Sequence, residues 1–379
     1  MPTRYRVIVT AAVILSLLAG CGKVEPAATV VPSSVTAAPT SFSQTATSLP
    51  PSTLPATIAP TGESGADNLS EEEAATLGSL KQVDEYPLYT MHYHGPYNRR
   101  VSSAEGIEWS KKAISSPAWG CSLFAALGDD DNMLYGRNFD WEYSPALLLF
   151  TDPPDGYASV SMVDIAYLGF GGDRADTLLD LPLAGRRALL DAPFWPFDGM
   201  NEQGLAVGLA AVPEEEVPSD SDKETVGSLM VIRNMLDHAR DVDEAVTILQ
   251  SYNIDFGGGP HIHYLIADAG GRSVLVEFYR GEMVIMSSET AWHLATNFLR
   301  ASVGESTEGV CWRYDRLGRQ LAETRGRMGT PDGMELLADV SQDITQWSIV
   351  YGMSSRDISV VMGREYDDVD NFHLNVTGE

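Results

Sequence analysis

The spacing of apolar residues changes character several times along this chain. Val7 to Leu18 is a nearly unbroken apolar run behind two basic residues, Arg4 and Arg6. It is shorter than the roughly 20 residues a spanning helix needs and closes on the small residues Ala19 and Gly20, so it predicts an export signal over residues 1–20. From Glu25 to Gly65 the chain is mostly Pro, Thr, Ser and Ala, with little charge. Such a stretch buries too little apolar surface to offset its ordering entropy, which predicts a disordered tether over residues 21–69. At roughly 3 Å per residue in extended form, it would reach on the order of 100 Å.

Structure-forming patterns begin at Ser70, an N-cap followed by Glu71, Glu72 and Glu73, predicting a helix to about Lys81. Tyr86 to Tyr93 is aromatic-rich and predicts a strand, and Ala104 to Ile114 a second short helix. Between Trp119 and Trp141 two apolar runs flank an acidic turn, the pattern of a hairpin. Strands are predicted at 146–151 and 158–163, and at 205–211 after the turn Asn201-Glu-Gln-Gly204. Helical periodicity over 225–252 breaks near Arg240, where Asp241 and Glu244 form a capping-box pattern. A meander at 261–268, 273–279, 283–287 and 293–296 precedes helices at 312–323 and 331–341 and strands at 347–351, 358–362 and 371–375. This alternation of strand and helix blocks predicts an α+β domain with antiparallel sheets.

Charge narrows the partners. A net charge of −28 on 379 residues gives no basic footprint, so no nucleic-acid partner is expected. Only three cysteines occur, Cys21, Cys121 and Cys311, too few for a disulfide framework. The ending Leu18-Ala19-Gly20-Cys21 resembles a bacterial lipobox. That resemblance implies lipidation of Cys21 and an extracytoplasmic protein anchored to the membrane without spanning it.

Cys121 admits three readings: a buried core residue, half of a disulfide with Cys311, or a nucleophile activated by a nearby cation. Arg137 is available as that cation if the hairpin pairs, and Asp140 lies on the same returning strand. His261-x-His263 and His92-x-His94 have metal-like spacing without an evident third ligand, so no metal site is assigned. The glycine-rich loops near Phe170 and Phe256 lack a P-loop lysine.

Gly120-Cys121-Ser122, Tyr135-Gly-Arg-Asn-Phe-Asp-Trp141, Asp198-Gly-Met-Asn-Glu-Gln-Gly-Leu205, Ala295-Thr-Asn297 and Trp312-Arg-Tyr-Asp-Arg316 occur in that order. Together they resemble the choloylglycine hydrolase and penicillin V acylase family of N-terminal-nucleophile linear amide hydrolases, which is related to acid ceramidase. The resemblance implies a four-layer αββα sandwich and hydrolysis of an N-acyl amide without a cofactor. It also implies roles: Cys121 as nucleophile, Arg137 flanking the thiolate, Asp140 orienting the α-amine, Asn297 at the oxyanion and Arg313 in the surrounding charge network. The cysteine is N-terminal only if everything before it is removed, which implies autocleavage at Gly120-Cys121. A glycine before the cut tolerates a strained conformation. Residues 70–120 would then be a propeptide-like segment packed on a catalytic domain of residues 121–379. The family carries a Leu-Asn pair where this chain has Leu209-Ala210, which leaves the substrate open. A catalytically silent lipid- or peptide-binding lipoprotein and an acyltransferase are the alternatives.

Overall fold

The two apolar runs around the acidic turn pair as an antiparallel hairpin, and further strands close around it on both sides. The computed structural model describes residues 69–97, 120–257 and 259–375. In chain order the first strands are β1 (Lys81–Asp84), β2 (Leu88–Tyr93), β3 (Gly120–Ala126), β4 (Leu134–Asp140), β5 (Ala146–Thr151) and β6 (Ser159–Asp164). They are followed by β7 (Asp198–Asn201), β8 (Ala206–Ala211), β9 (Glu224–Gly227), β10 (Tyr252–Asp255), β11 (Ile262–Ala267) and β12 (Ser273–Tyr279). The last are β13 (Glu282–Ser287), β14 (Trp292–Ala295), β15 (Thr345–Gly352), β16 (Asp357–Met362) and β17 (Asp370–His373).

One sheet has six strands in the order β14-β3-β4-β15-β16-β17, and the other has nine in the order β1-β2-β5-β6-β7-β8-β11-β12-β13. Alternation along β3 explains why it reads as continuously apolar. Cys121, Leu123 and Ala125 join the core shared with the nine-stranded sheet, whereas Phe124 and Ala126 join a cluster with Leu317, Leu321, Leu336 and Leu337. Those leucines belong to the helices Trp312–Thr324 and Thr330–Asp339, which cover the outer face of the six-stranded sheet. The helices Met230–His238 and Val242–Gln250 cover the outer face of the nine-stranded one, with Val231, Ile232, Leu236 and Leu249 buried. The architecture is therefore a four-layer αββα sandwich, the arrangement that the sequence resemblance implies, with Cys121 facing the middle. Gly136 is required by packing, since a Cβ there would collide with the Phe124 ring.

The structure refines several expectations. The first helix runs Glu71–Gly78, with the capping box of Ser70 and Glu73 formed, and stops short of Lys81. Lys81–Asp84 is instead a mostly exposed edge strand antiparallel to β2. Residues 224–227, read as the start of a helix, form a strand parallel to β10. The sheets are not wholly antiparallel, because β2 also runs parallel to β5, with Leu88 opposite Ala146 and Tyr93 opposite Thr151. The expected helix at 104–114, the export signal and the tether lie outside the described residues. Among the described residues no helix is long and apolar enough to cross a membrane.

Candidate active site

Cys121 is the second residue of β3, opposite Phe139 on β4. No disulfide joins Cys121 and Cys311, so the disulfide reading is corrected. The Cys121 side chain is buried and forms part of the wall of a strongly apolar pocket with Phe139, Trp141, Tyr167, Phe197 and Phe256. Burial pushes its thiol pKa up, and the Arg137 guanidinium is the strongest influence in the other direction. Arg137 Nη2 lies 3.8 Å from the sulfur.

The same guanidinium is committed on its other side. Arg137 Nη1 donates to Asp198 and to the Phe197 carbonyl, and Tyr351 donates to the second Asp198 oxygen at 2.5 Å. Arg137 and Asp198 are both fully buried, so the carboxylate holds on the arginine a charge that burial alone would disfavour. The guanidinium also lies over the Phe139 ring, 5.0 Å from its centroid.

The main chain of Cys121 is gripped separately. Its N–H donates to Asn297 Oδ1 at 2.6 Å, and its carbonyl accepts from Arg313 Nη1. Arg313 also donates to Ser122 Oγ at 3.0 Å and to Asn297 Oδ1 at 2.9 Å. Two donors on one oxygen fix the orientation of the Asn297 amide, and its Nδ2 donates to the Ala211 carbonyl at 2.8 Å. Arg313 sits in the first turn of its helix, where a cation opposes the helix dipole. Its contacts with Cys121, Ser122 and Asn297 account for that placement.

Asp140 stands opposite Gly120 across the hairpin. Thr345 donates to its Oδ1 at 2.5 Å and Gln342 to its Oδ2 at 2.6 Å, and Arg313 lies 3.7 Å away. Burial raises the Asp140 pKa despite Arg313 and these two hydrogen bonds. In the intact chain the Cys121 nitrogen therefore meets Asn297, while Asp140 is held beside Gly120. Gly120 is absent from the described residues with positive φ, and a Cβ there would meet the end of the Gln342 side chain that bonds Asp140.

The structure thus gathers Gly120, Cys121, Arg137, Asp140, Asn297 and Arg313 around one strand end. Sequence reasoning missed Asp198, Tyr351, Thr345 and Gln342 as members. Only Asp198 left a signal, as a carboxylate opening an otherwise uncharged strand. Ala210 is fully buried and is absent from the pocket wall that its neighbours Leu209 and Ala211 help to form. Of the paired histidines, His263 bonds Glu277, whereas His261 stacks on Phe256.

The family model described as "Acyl-coenzyme A:6-aminopenicillanic acid acyl-transferase" matches residues 195–357, a span that holds Asp198, Asn297, Arg313, Gln342 and Thr345. The match covers 163 of the chain's 379 residues, and over that span the chain is similar to the acyltransferase family that the model describes. Among solved structures, a variant of conjugated bile acid hydrolase from Clostridium perfringens is similar at 14% identity and TM-score 0.48, covering 67% of this chain and 92% of that one. Penicillin V acylase from Agrobacterium tumefaciens is similar at 15% identity and TM-score 0.45, covering 64% and 83%. The Caenorhabditis elegans ortholog of N-acylethanolamine-hydrolyzing acid amidase is similar at 12% identity and TM-score 0.41, covering 62% and 93%.

Proposed function

We propose that the protein hydrolyses the C–N bond of a linear, non-peptide N-acyl amide with Cys121 as nucleophile, after cutting its own chain between Gly120 and Cys121. The observation that most supports this is the Cys121 thiol on the wall of an aromatic pocket with a guanidinium 3.8 Å from its sulfur. In self-cleavage, the sulfur adds to the Gly120 carbonyl carbon and the Gly120–Cys121 C–N bond breaks as the nitrogen takes up a proton. Water then hydrolyses the thioester, leaving a carboxylate on Gly120 and a free α-amine on Cys121.

That amine has an unperturbed pKa of about 7.7 to 8.0, so near neutral pH it takes the thiol proton and returns it to the leaving amine. The thiolate attacks the substrate carbonyl, the C–N bond breaks, and water hydrolyses the acyl-thioester to the acid and the free thiol. Arg137 favours the thiolate, and Asn297 and Arg313 supply the charge and donors around the developing oxyanion. Asp140, anchored by Thr345 and Gln342, orients the nitrogen. The apolar pocket suits an apolar acyl group.

The test is amine release from N-acyl amides graded in acyl size. At least one with an apolar acyl group is expected to yield free amine and acid in equal amounts. Binding without release across the panel would leave a silent binding protein. The matched family description favours a second reading, in which the thioester passes to an acceptor amine. Product analysis with an added amine separates the two, because transfer yields a new amide in place of the acid.

The same reading extends to the membrane: Cys21 carries the lipid, and the segment before Gly120 stays bound after the cut. Support comes from β2, a full strand of the nine-stranded sheet with Leu88, Tyr89 and Met91 buried. Tyr97 adds a further tie, donating to Asp237, which is paired with the buried Arg233. Both fragments are expected to sediment together with membranes, and Cys21→Ser to move both together into the soluble fraction. Recovery of the large fragment alone in the wild-type soluble fraction would contradict this.

A further inference from the structure

Beside the proposed site lies a buried ionisable pair with no part in the chemistry described so far. Glu277, fully buried on β12, accepts three N–H donors: His263 Nδ1 at 2.9 Å, the Arg300 amide at 2.8 Å and the Ala301 amide at 2.8 Å. His263 faces it from β11, one step beyond the Tyr264–Val276 pair, and stands opposite Ala210 on its other side. The His263 Nε2 atom is buried without a partner, so the imidazole is held through its Nδ1 contact with Glu277.

A buried carboxylate is costly unless its oxygens are well bonded. Here the two main-chain donors come from the short 3-10 turn Arg300–Ser302, which begins three residues after Asn297. The other end of that connection is fixed by β14, where Ala295 pairs with Leu123 on β3. Asn297 therefore rides on a short link clamped at one end by the β3 strand that carries Cys121 and at the other by Glu277. Its Oδ1 contacts with Cys121 and Arg313 depend on both clamps.

We propose that Glu277, aligned by His263, is a positioning residue that sets Asn297 against Cys121. This inference rests on the function proposed above. A misplacement of about 1 Å at a reacting group costs on the order of 10²-fold in rate, so a shift of this link is expected to appear in kcat.

The test compares wild type, Glu277→Gln, His263→Ala and His263→Asn for turnover per cleaved chain and for amide hydrogen exchange over residues 296–303. Glu277→Gln puts an amide donor where one of the main-chain N–H groups needs an acceptor. It is expected to speed exchange in the link and to lower kcat by roughly ten- to a hundredfold, with KM within about threefold. His263→Ala removes one donor to Glu277 and is expected to shift kcat the same way by less. His263→Asn offers an amide donor near the position of Nδ1 and is expected to recover part of that loss. If Glu277→Gln does not fold, the two His263 variants decide.

A purely structural role predicts lower thermal stability with kcat per cleaved chain unchanged, and that result overturns the proposal. Wild-type protein without Cys121-dependent turnover brings down the functional reading itself. Turnover that depends on Cys121 but not on Glu277 or His263 brings down only this inference.

Discussion

Replacing Cys121 with alanine is expected to leave a single uncut chain and to abolish turnover, a loss of at least about 10³-fold. The two effects have one origin. In the proposed mechanism the sulfur that would open the Gly120–Cys121 bond is the sulfur that would attack the substrate, and without the cut there would be no α-amine to take the thiol proton. The cost in stability should be small, because Cys121 is a small buried side chain whose sulfur makes one long contact to Arg137. Gel electrophoresis and thermal unfolding of the same preparation check both statements. A variant cut normally at Gly120, or one that turns substrate over at the wild-type rate, would remove Cys121 from the mechanism. Cys121→Ser separates the parts: a hydroxyl is a weaker nucleophile, so slow cutting followed by much reduced turnover is expected.

The second large effect is expected at Asp198. Its carboxylate is the counter-ion of Arg137, both groups are fully buried, and Tyr351 donates to its other oxygen. Asp198→Ala strands a buried positive charge, which costs about 3–5 kcal/mol and drops the melting temperature by several degrees. Asp198→Asn keeps the shape and removes the charge, so the loss should be smaller. Its signature should lie in the thiol. Burial raises the Cys121 pKa and Arg137 opposes this. With no carboxylate to neutralise it, Arg137 acts more fully on the sulfur, and the pKa should fall. The pH profile of Cys121 alkylation in Asp198→Asn should therefore move to lower pH. A profile that moves to higher pH would show that Arg137 is not the cation governing the thiol.

The hairpin carrying Cys121 was legible because both faces of β3 are buried and its turn is acidic, a contrast that periodicity detects readily. Arg137 and Asp140 were legible for a different reason, since they lie on the returning strand and need only local pairing to approach the cysteine. Asn297 and Arg313 came from motif resemblance alone. Thr345 and Gln342 reach Asp140 across about 200 residues of sequence, and Glu277 reaches the Asn297 link from another sheet. Nothing local marks such partners, because closure of the two sheets creates the contact. Lys81–Asp84 was missed because three of its four residues are exposed at a sheet edge, so no apolar alternation appears. The segment 165–194 forms three short helical turns and then the 3-10 run Leu183–Phe194, so no single period exists to be read.

One bond decides the proposed mechanism. Intact-mass and N-terminal analysis of an active preparation is the most direct test of it. The expected result is a large fragment beginning at Cys121 with an unblocked α-amine, accompanied by a smaller fragment ending at Gly120. An active sample in which the Gly120–Cys121 bond is intact would contradict it.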